Sequence, residues 1–219
     1  MYHSQCQEDV TLNMEYFKNK RNGRYIELGA LDGVLYSNTK FFEDHLGWSG
    51  VLIEPHPIQF QRLQQNRPNN VLCNHLVSCK TEPQTFRYFT HGMAAISGIE
   101  NTIPALHFDL WFDSVEYSNL PQSSVDIKPR TLTEIIKGTE YTHFDLLSLD
   151  VEGHEYEVLQ SWDFSVPIDV ILIEMLGRNA ERDELCRQIL LNNGYVFDRV
   201  LHHNEIWVSD LLNRARIMG

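Results

Sequence analysis

The sequence predicts an α/β fold, a doubly wound and mostly parallel sheet with helices on both faces. Three observations predict it. Short apolar runs alternate with helical patterns along the chain. Four of those runs end at or beside an acid: Glu27, Glu54, Asp150 and Glu174. The last two β-patterned runs, 195–200 and 205–208, face each other across 201–204 and close the sheet as an antiparallel hairpin.

In chain order, residues 9–18 read as a helix with Val10, Met14 and Phe17 on one face. Arg24–Leu28 is a strand that runs into a glycine turn. Residues 38–46 read as a helix, capped by Asn38 and ended by a left-handed Gly47. A strand at 50–53 ends in Glu54-Pro55. Pro57–Asn66 is helical, 71–77 a strand and 85–89 a further extended piece. The aromatic-rich stretch 90–124 reads as irregular, and a loop that long is functional or carries small elements of its own. A helix at 131–137, the apolar strand Phe144–Leu149, helix Glu155–Gln160, a strand at 170–173 and a helix at 181–192 complete the alternation. Ligands in such sheets bind beyond the carboxyl ends of the strands, so the four acids predict a carboxylate-rich cleft on one edge.

The chain of 219 residues, 42% hydrophobic and 22% charged, suits a single domain with a sizeable core. We take 1–219 as one domain with 90–124 as an acceptor-recognition insertion. A net charge of −12 opposes nucleic-acid binding and docking on an anionic membrane. Lys18, Lys20, Arg21 and Arg24 form the one basic cluster. Cys6, Cys73, Cys79 and Cys186 make no C-x-x-C pair and read as free thiols of a reducing compartment. No apolar run approaches the roughly 18 residues of a membrane span, and no signal peptide is visible. A cytoplasmic location is therefore expected.

The turn Glu27-x-Gly29-x-x-x-Gly33 has Leu31 where a dinucleotide fingerprint has its middle glycine. Pyrophosphate needs bare amides there, and Glu27 and Asp32 would repel it. A ligand with a cationic end and no phosphate suits the turn better, as S-adenosylmethionine does. Gly29 turns the chain and leaves room for a ligand; a tight turn without a ligand is the alternative. Glu54, after the second strand, can accept hydrogen bonds from ribose hydroxyls, whether of S-adenosylmethionine or NAD. In Ser148-Leu-Asp150-Val-Glu152-Gly-His154-Glu155, Asp150 can be a general base or a metal ligand, with Glu152 and His154 assisting. Asp150 and Glu174 with water would suit Mg²⁺ or Mn²⁺ better than zinc. Glu155 reads as a helix-start acid that favours the dipole.

Several of these stretches together resemble the FkbM-type methyltransferases: Ser4-Gln5-x-x-Glu8-Asp9, Tyr25–Gly33, Tyr36-Ser-Asn-Thr39, Gly47-Trp-Ser-Gly50, Leu52-Ile-Glu-Pro55 and Asp150-Val-Glu-Gly-x-Glu155. The resemblance implies a Rossmann-like class I methyltransferase fold, a seven-stranded, mostly parallel sheet with a terminal antiparallel hairpin. It implies S-adenosylmethionine as donor and O-methylation, often of sugar hydroxyls on glycans or glycosylated metabolites. Carried over, Glu27, Gly29, Ala30 and Gly33 line the methionine end, with Asp32, Ser37 and Asn38 close by. Glu54 holds the ribose, Asn74 to Ser78 lie near the adenine, and Gln5 closes the pocket. The expected partner is then a small-molecule or glycan substrate, nucleotide sugars included. Two other readings stay open: a nicotinamide oxidoreductase, and a catalytically silent glycan-binding domain.

Overall fold

The computed structural model describes residues 1–114, 116–117, 119–175 and 177–218. Of the expected insertion, positions 115 and 118 lie outside the described residues. The strands are β1 (Arg24–Leu28), β2 (Ser49–Ile53), β3 (Val71–Cys73), β4 (Gln84–Phe89), β5 (Gly98–Ile99), β6 (Gln122–Ile127), β7 (Phe144–Leu149), β8 (Ile168–Glu174), β9 (Tyr195–Leu201) and β10 (Asn204–Ser209). The main sheet has seven strands in the order β3-β2-β1-β7-β8-β10-β9. All pairs are parallel except those that β10 makes with β8 and β9. Strand order reverses between β1 and β7, so a crevice opens there beyond their carboxyl ends.

The centre of the sheet is covered on both sides, which is why β7 is buried at every residue, its polar Asp145 and Ser148 included. One cluster packs Ile26, Leu28, Leu147 and Leu149 against Leu132, Ile135 and Val158. The other packs Tyr25, Leu52, Leu146 and Ile206 against Leu12, Phe42 and Trp48. The helices begin with α1 (Glu8–Thr11), which widens into a π-turn over Leu12–Phe17. That widening alters the expected face: Leu12 and Phe17 are buried, whereas Met14 is 62% exposed. Helix α2 spans Lys40–Leu46, α3 Pro57–Asn66, α4 Ala105–His107, α5 Leu132–Lys137, α6 Glu155–Gln160, α7 Ala180–Asn192 and α8 Asp210–Met218. Helix α2 starts later than expected. Asn38 does not cap it; Ser37 Oγ accepts from the amides of Thr39 and Lys40 instead.

The stretch 90–124 is more regular than its sequence suggests. Strand β4 is the centre of a second, three-stranded antiparallel sheet, β5-β4-β6. Strand β3 stops at Cys73, short of the expected Val77, which makes only an isolated bridge to Arg130. The four cysteines are free. Among the described residues, no helix is long and apolar enough to cross a membrane.

Candidate active site

The carboxyl ends of β1, β2, β7 and β8 border one cleft of about 990 Å³, its open mouth included. Its walls include Gln5, Gly29, Glu54, His75, Asp150 and Glu174. The second sheet contributes Phe86 and Gly98 and the 3-10 turn between β4 and β5 contributes Ala94, so the insertion roofs the same space.

The glycine turn works differently from its sequence reading. Gly29 has φ +78°, and a Cβ there would lie 1.9 Å from the Asp150 carbonyl oxygen. The missing side chain makes room for the backbone after β7, and Gly29 also borders the cleft. Gly33 has φ +79°, and its absent Cβ makes room for Arg67 and Leu63. Between them Leu31 is itself left-handed, at φ +47°. Its amide donates to Glu54 Oε2 at 2.8 Å, and the His56 amide donates to Oε1 at 2.7 Å. Glu54 is thus fixed by two backbone amides at the end of β2, with lone pairs left for a vicinal diol. Burial pushes its carboxyl up to about 7, partly offset by those amides.

Glu27 and Asp32, read from the sequence as charges that favour a cationic ligand, are largely occupied within the protein. Glu27 borders the cleft, but its oxygens accept from Ser37 Oγ, the Asn38 amide and Thr39 Oγ1, with Arg67 Nη1 at 4.0 Å. Burial raises its pKa despite Arg67. Arg67 is fully buried and also donates to Glu43, the Gly33 carbonyl, Tyr25 Oη and Thr39 Oγ1. This network was missed; an arginine closing an otherwise polar helix carries no sequence signal of its destination. Asp32 Oδ1 accepts from the amides of Val34 and Leu35, an Asx-type turn.

Of the other predicted cofactor residues, Gln5 and Asn38 border the cleft. Gln5 is brought there by the anchored N-terminus, where Asp9 accepts from the His3 amide and from Ser4 Oγ. Asn38 Nδ2 donates to Ser148 Oγ, tying the loop to β7. Ala30, Gly33, Ser37, Asn74 and Ser78 are not among the residues that border it. Asn74 turns its amide to the Glu54 carbonyl, and Ser78 is buried against the Lys80 amide. His75, Leu76 and Val77, between those two, do line the wall.

The catalytic candidates converge. Carboxylate oxygens of Asp150, Glu152 and Glu174 lie within 4.8 Å of one another. Burial pushes Asp150 up to about 6; the charges of Glu8 and Glu27 add to this, and its hydrogen bond with Glu174 opposes it. Burial, then the Asp150 and Glu155 charges, hold Glu152 well above the ordinary range. Glu174 is raised by burial and the same neighbours. Such a trio is stable when it shares protons or takes up a cation. Glu155 does more than favour a helix dipole. Its Oε1 accepts from the amides of Val151 and Gly153 and holds the loop carrying Glu152. Burial pushes it up to about 7.

His154 also borders the cleft and is buried, and burial lowers its imidazole to about 4, so it is neutral. Its Nδ1 lies 2.9 Å from Thr102 Oγ1, and Nε2 has no partner. His107, from the insertion, reaches Glu152 with Nδ1 at 3.3 Å, while Arg178 Nη1 donates to that same nitrogen. Gly153 completes the join: a Cβ there would meet Pro104 Cδ and the Thr102 carbonyl, both at 2.8 Å.

No curated protein matches the sequence. Among solved structures, the fold is similar to an FkbM methyltransferase from Methylobacillus flagellatus KT, with TM-score 0.53 and 14% identity over 92% of this chain. The chain spans about half of that protein, 48%. An O-methyltransferase from Bacillus cereus in complex with SAH gives TM-score 0.50 at 12% identity, covering 94% of this chain and 81% of that one. Aeropyrum pernix fibrillarin with natively bound S-adenosyl-L-methionine gives TM-score 0.50 at 10% identity, covering 94% and 73%. These likenesses establish a Rossmann-like class I methyltransferase fold. The sequence model of the methyltransferase FkbM domain matches residues 27–197, most of the chain, and the protein therefore belongs to the FkbM methyltransferase family.

Proposed function

We propose that the protein transfers a methyl group from S-adenosylmethionine to a hydroxyl of a small, sugar-like acceptor. Family membership leaves the nicotinamide reading without support. The observation that carries the donor is Glu54, held by two amides at the end of β2 and facing the cleft. An acceptor of two hydrogen bonds at this place fits a ribose diol, and no phosphate cradle stands beside it. Glu54 would hold the ribose, His75 to Val77 the base, and Gly29, Asn38 and Gln5 the amino-acid end. Bound there, S-adenosylmethionine supplies an electrophilic methyl carbon.

The protein's own contribution is alignment and proton removal. The cleft walls hold acceptor and donor in line, which replaces a bimolecular encounter by a positioned one. Asp150, with a pKa of about 6, is mostly ionised at neutral pH and can take the hydroxyl proton. The insertion, roofing the cleft through Ala94 and Gly98, would recognise the acceptor. A second reading follows from the three converging carboxylates: Asp150 and Glu174 holding Mg²⁺ or Mn²⁺, which would lower the pKa of the acceptor hydroxyl.

Mass spectrometry after incubation with S-adenosylmethionine and a panel of sugars tests the reading. Gain of one methyl group on a hydroxyl is expected. Binding of the donor with no product from any hydroxylated acceptor would favour the silent domain. Full activity in EDTA removes the metal reading and leaves the base.

A further inference from the structure

The described lining of the cleft contains the carboxylates of Glu27, Glu54, Asp150, Glu152 and Glu174, and no lysine or arginine. Two of these five are occupied. Glu27 is bonded to its own loop and faces Arg67, and Glu54 is held by amides at the ribose position. Asp150, Glu152 and Glu174 remain as a cluster within 4.8 Å. Arg178, whose charge reaches Glu152, donates to His107 and does not line this cleft. S-adenosylmethionine brings a sulfonium and an ammonium against one carboxylate, so its single net positive charge leaves the cluster under-compensated.

His154 points the same way. It is 1% exposed and borders the same cleft, with Nε2 unpartnered. Thr102 Oγ1 can donate to the Ile99 carbonyl, in which case Nδ1 carries the ring proton toward Thr102 and Nε2 is an acceptor. The cleft wall thus holds a buried, unpartnered acceptor together with the three carboxylates, and a ligand that brings donors and positive charge complements both.

We propose that the methyl acceptor is a hydroxylated amine, an amino sugar or aminocyclitol by class, whose ammonium sits on Glu152 and Glu174 while Asp150 faces the hydroxyl. This rests on the methyltransferase reading of the same cleft. The methyl-to-sulfur bond breaks as the oxygen-to-methyl bond forms. The sulfur keeps the electron pair, S-adenosylhomocysteine leaves, and the hydroxyl proton passes to Asp150. A nucleotide sugar brings a diphosphate into the same carboxylates and is disfavoured.

Calorimetry on the protein saturated with S-adenosylhomocysteine tests this. The probes are glucosamine, galactosamine and 2-deoxystreptamine, each beside its N-acetylated form, with UDP-glucose and Mg²⁺ alone as further arms. At least one amine should bind about tenfold or more tightly than its acetylated form, a difference of about 1.4 kcal/mol. Glu152→Gln and Glu174→Gln should each abolish the preference while still binding S-adenosylhomocysteine, which shows that they fold. Equal binding of amine and amide, no binding by any amine, tighter binding of UDP-glucose, or Mg²⁺ that no amine displaces, overturns the proposal. Failure of the wild type to bind S-adenosylhomocysteine instead overturns the methyltransferase reading on which it stands.

Discussion

Gly29 and Asp150 approach so closely that any side chain on the first would strike the backbone of the second; a Cβ would sit 1.9 Å from the Asp150 carbonyl oxygen. The contact joins the ends of β1 and β7 at the point where strand order reverses. The glycine turn and the candidate base are therefore packed directly against each other, with the Asp150 amide also donating to the Leu28 carbonyl.

Gly29→Ala should accordingly be costly. Both the backbone conformation and the clash oppose it, and a loss of about 3 kcal/mol is expected. Gly177→Ala is the control. Its φ of +67° is also left-handed, but among the described residues nothing lies within 4 Å of a Cβ there, so about 1 kcal/mol is expected. Urea unfolding of both variants checks the difference. Similar losses would mean that strain, not the approach to Asp150, fixes the glycine.

Arg67 gives a second prediction. It is fully buried, with Glu27 and Glu43 as its charge partners. Arg67→Met strands a buried Glu27 and should cost about 3–5 kcal/mol. Adding Glu27→Gln removes the stranded charge and should recover a good part of the loss. A double variant no more stable than Arg67→Met would show that packing, not charge, dominates the network.

These two residues also mark what the sequence could reveal. The main sheet was legible because its strands are short apolar runs with acids at their ends, a pattern that burial on both faces imposes. The cleft followed from those ends, and Asp150, Glu152, His154 and Glu174 do converge there. What Gly29 touches was not legible, because it depends on strands paired across more than a hundred residues, and what Glu27 touches depends on how the following loop and the buried Arg67 fold back on β1. Gly29 makes room for Asp150 and Glu27 binds Ser37-Asn38-Thr39, while both also border the cleft. The second sheet was missed for another reason. Strand β6 is mostly exposed and polar (Gln122-Ser-Ser-Val-Asp-Ile127), so neither face leaves an apolar stripe. His107 reaches Glu152 from that insertion, a contact that no local motif announces.

Glu54 gives the third prediction. In Glu54→Gln only one side-chain oxygen remains for the two amides and the diol. Loss of charge-assisted acceptance should weaken S-adenosylhomocysteine binding by about 10- to 100-fold, following the 1.5–3 kcal/mol of such bonds. In the wild type, binding needs the ionised carboxylate, so affinity should fall as pH drops through about 7. The variant should lack that dependence. Calorimetry across pH checks both, and unchanged affinity in Glu54→Gln would remove the ribose from this carboxylate.

Asp150 separates stability from catalysis. An unfolded aspartate titrates near 3.9, whereas burial holds Asp150 at about 6. The folded state thus binds this proton more tightly. Its contribution to stability is fully present below the unfolded value and is lost as pH rises through about 6. Glu155, at about 7, acts in the same direction. His154 acts in the other: lowered to about 4, it contributes stability above its unfolded value near 6.5 and loses it as pH falls. The wild-type profile mixes these opposing effects, but Asp150→Asn isolates one. The variant's melting advantage over wild type should grow between pH 5 and pH 8, by about 2–4 °C, because Asp150 loses its proton across that window. Turnover should fall about 100-fold or more, as loss of a general base requires, while S-adenosylhomocysteine still binds. Thermal melts at the two pH values, together with single-turnover rates, check the pair. Equal melting differences at both pH values would show that Asp150 is not held protonated by its surroundings, and unchanged turnover would move the base elsewhere.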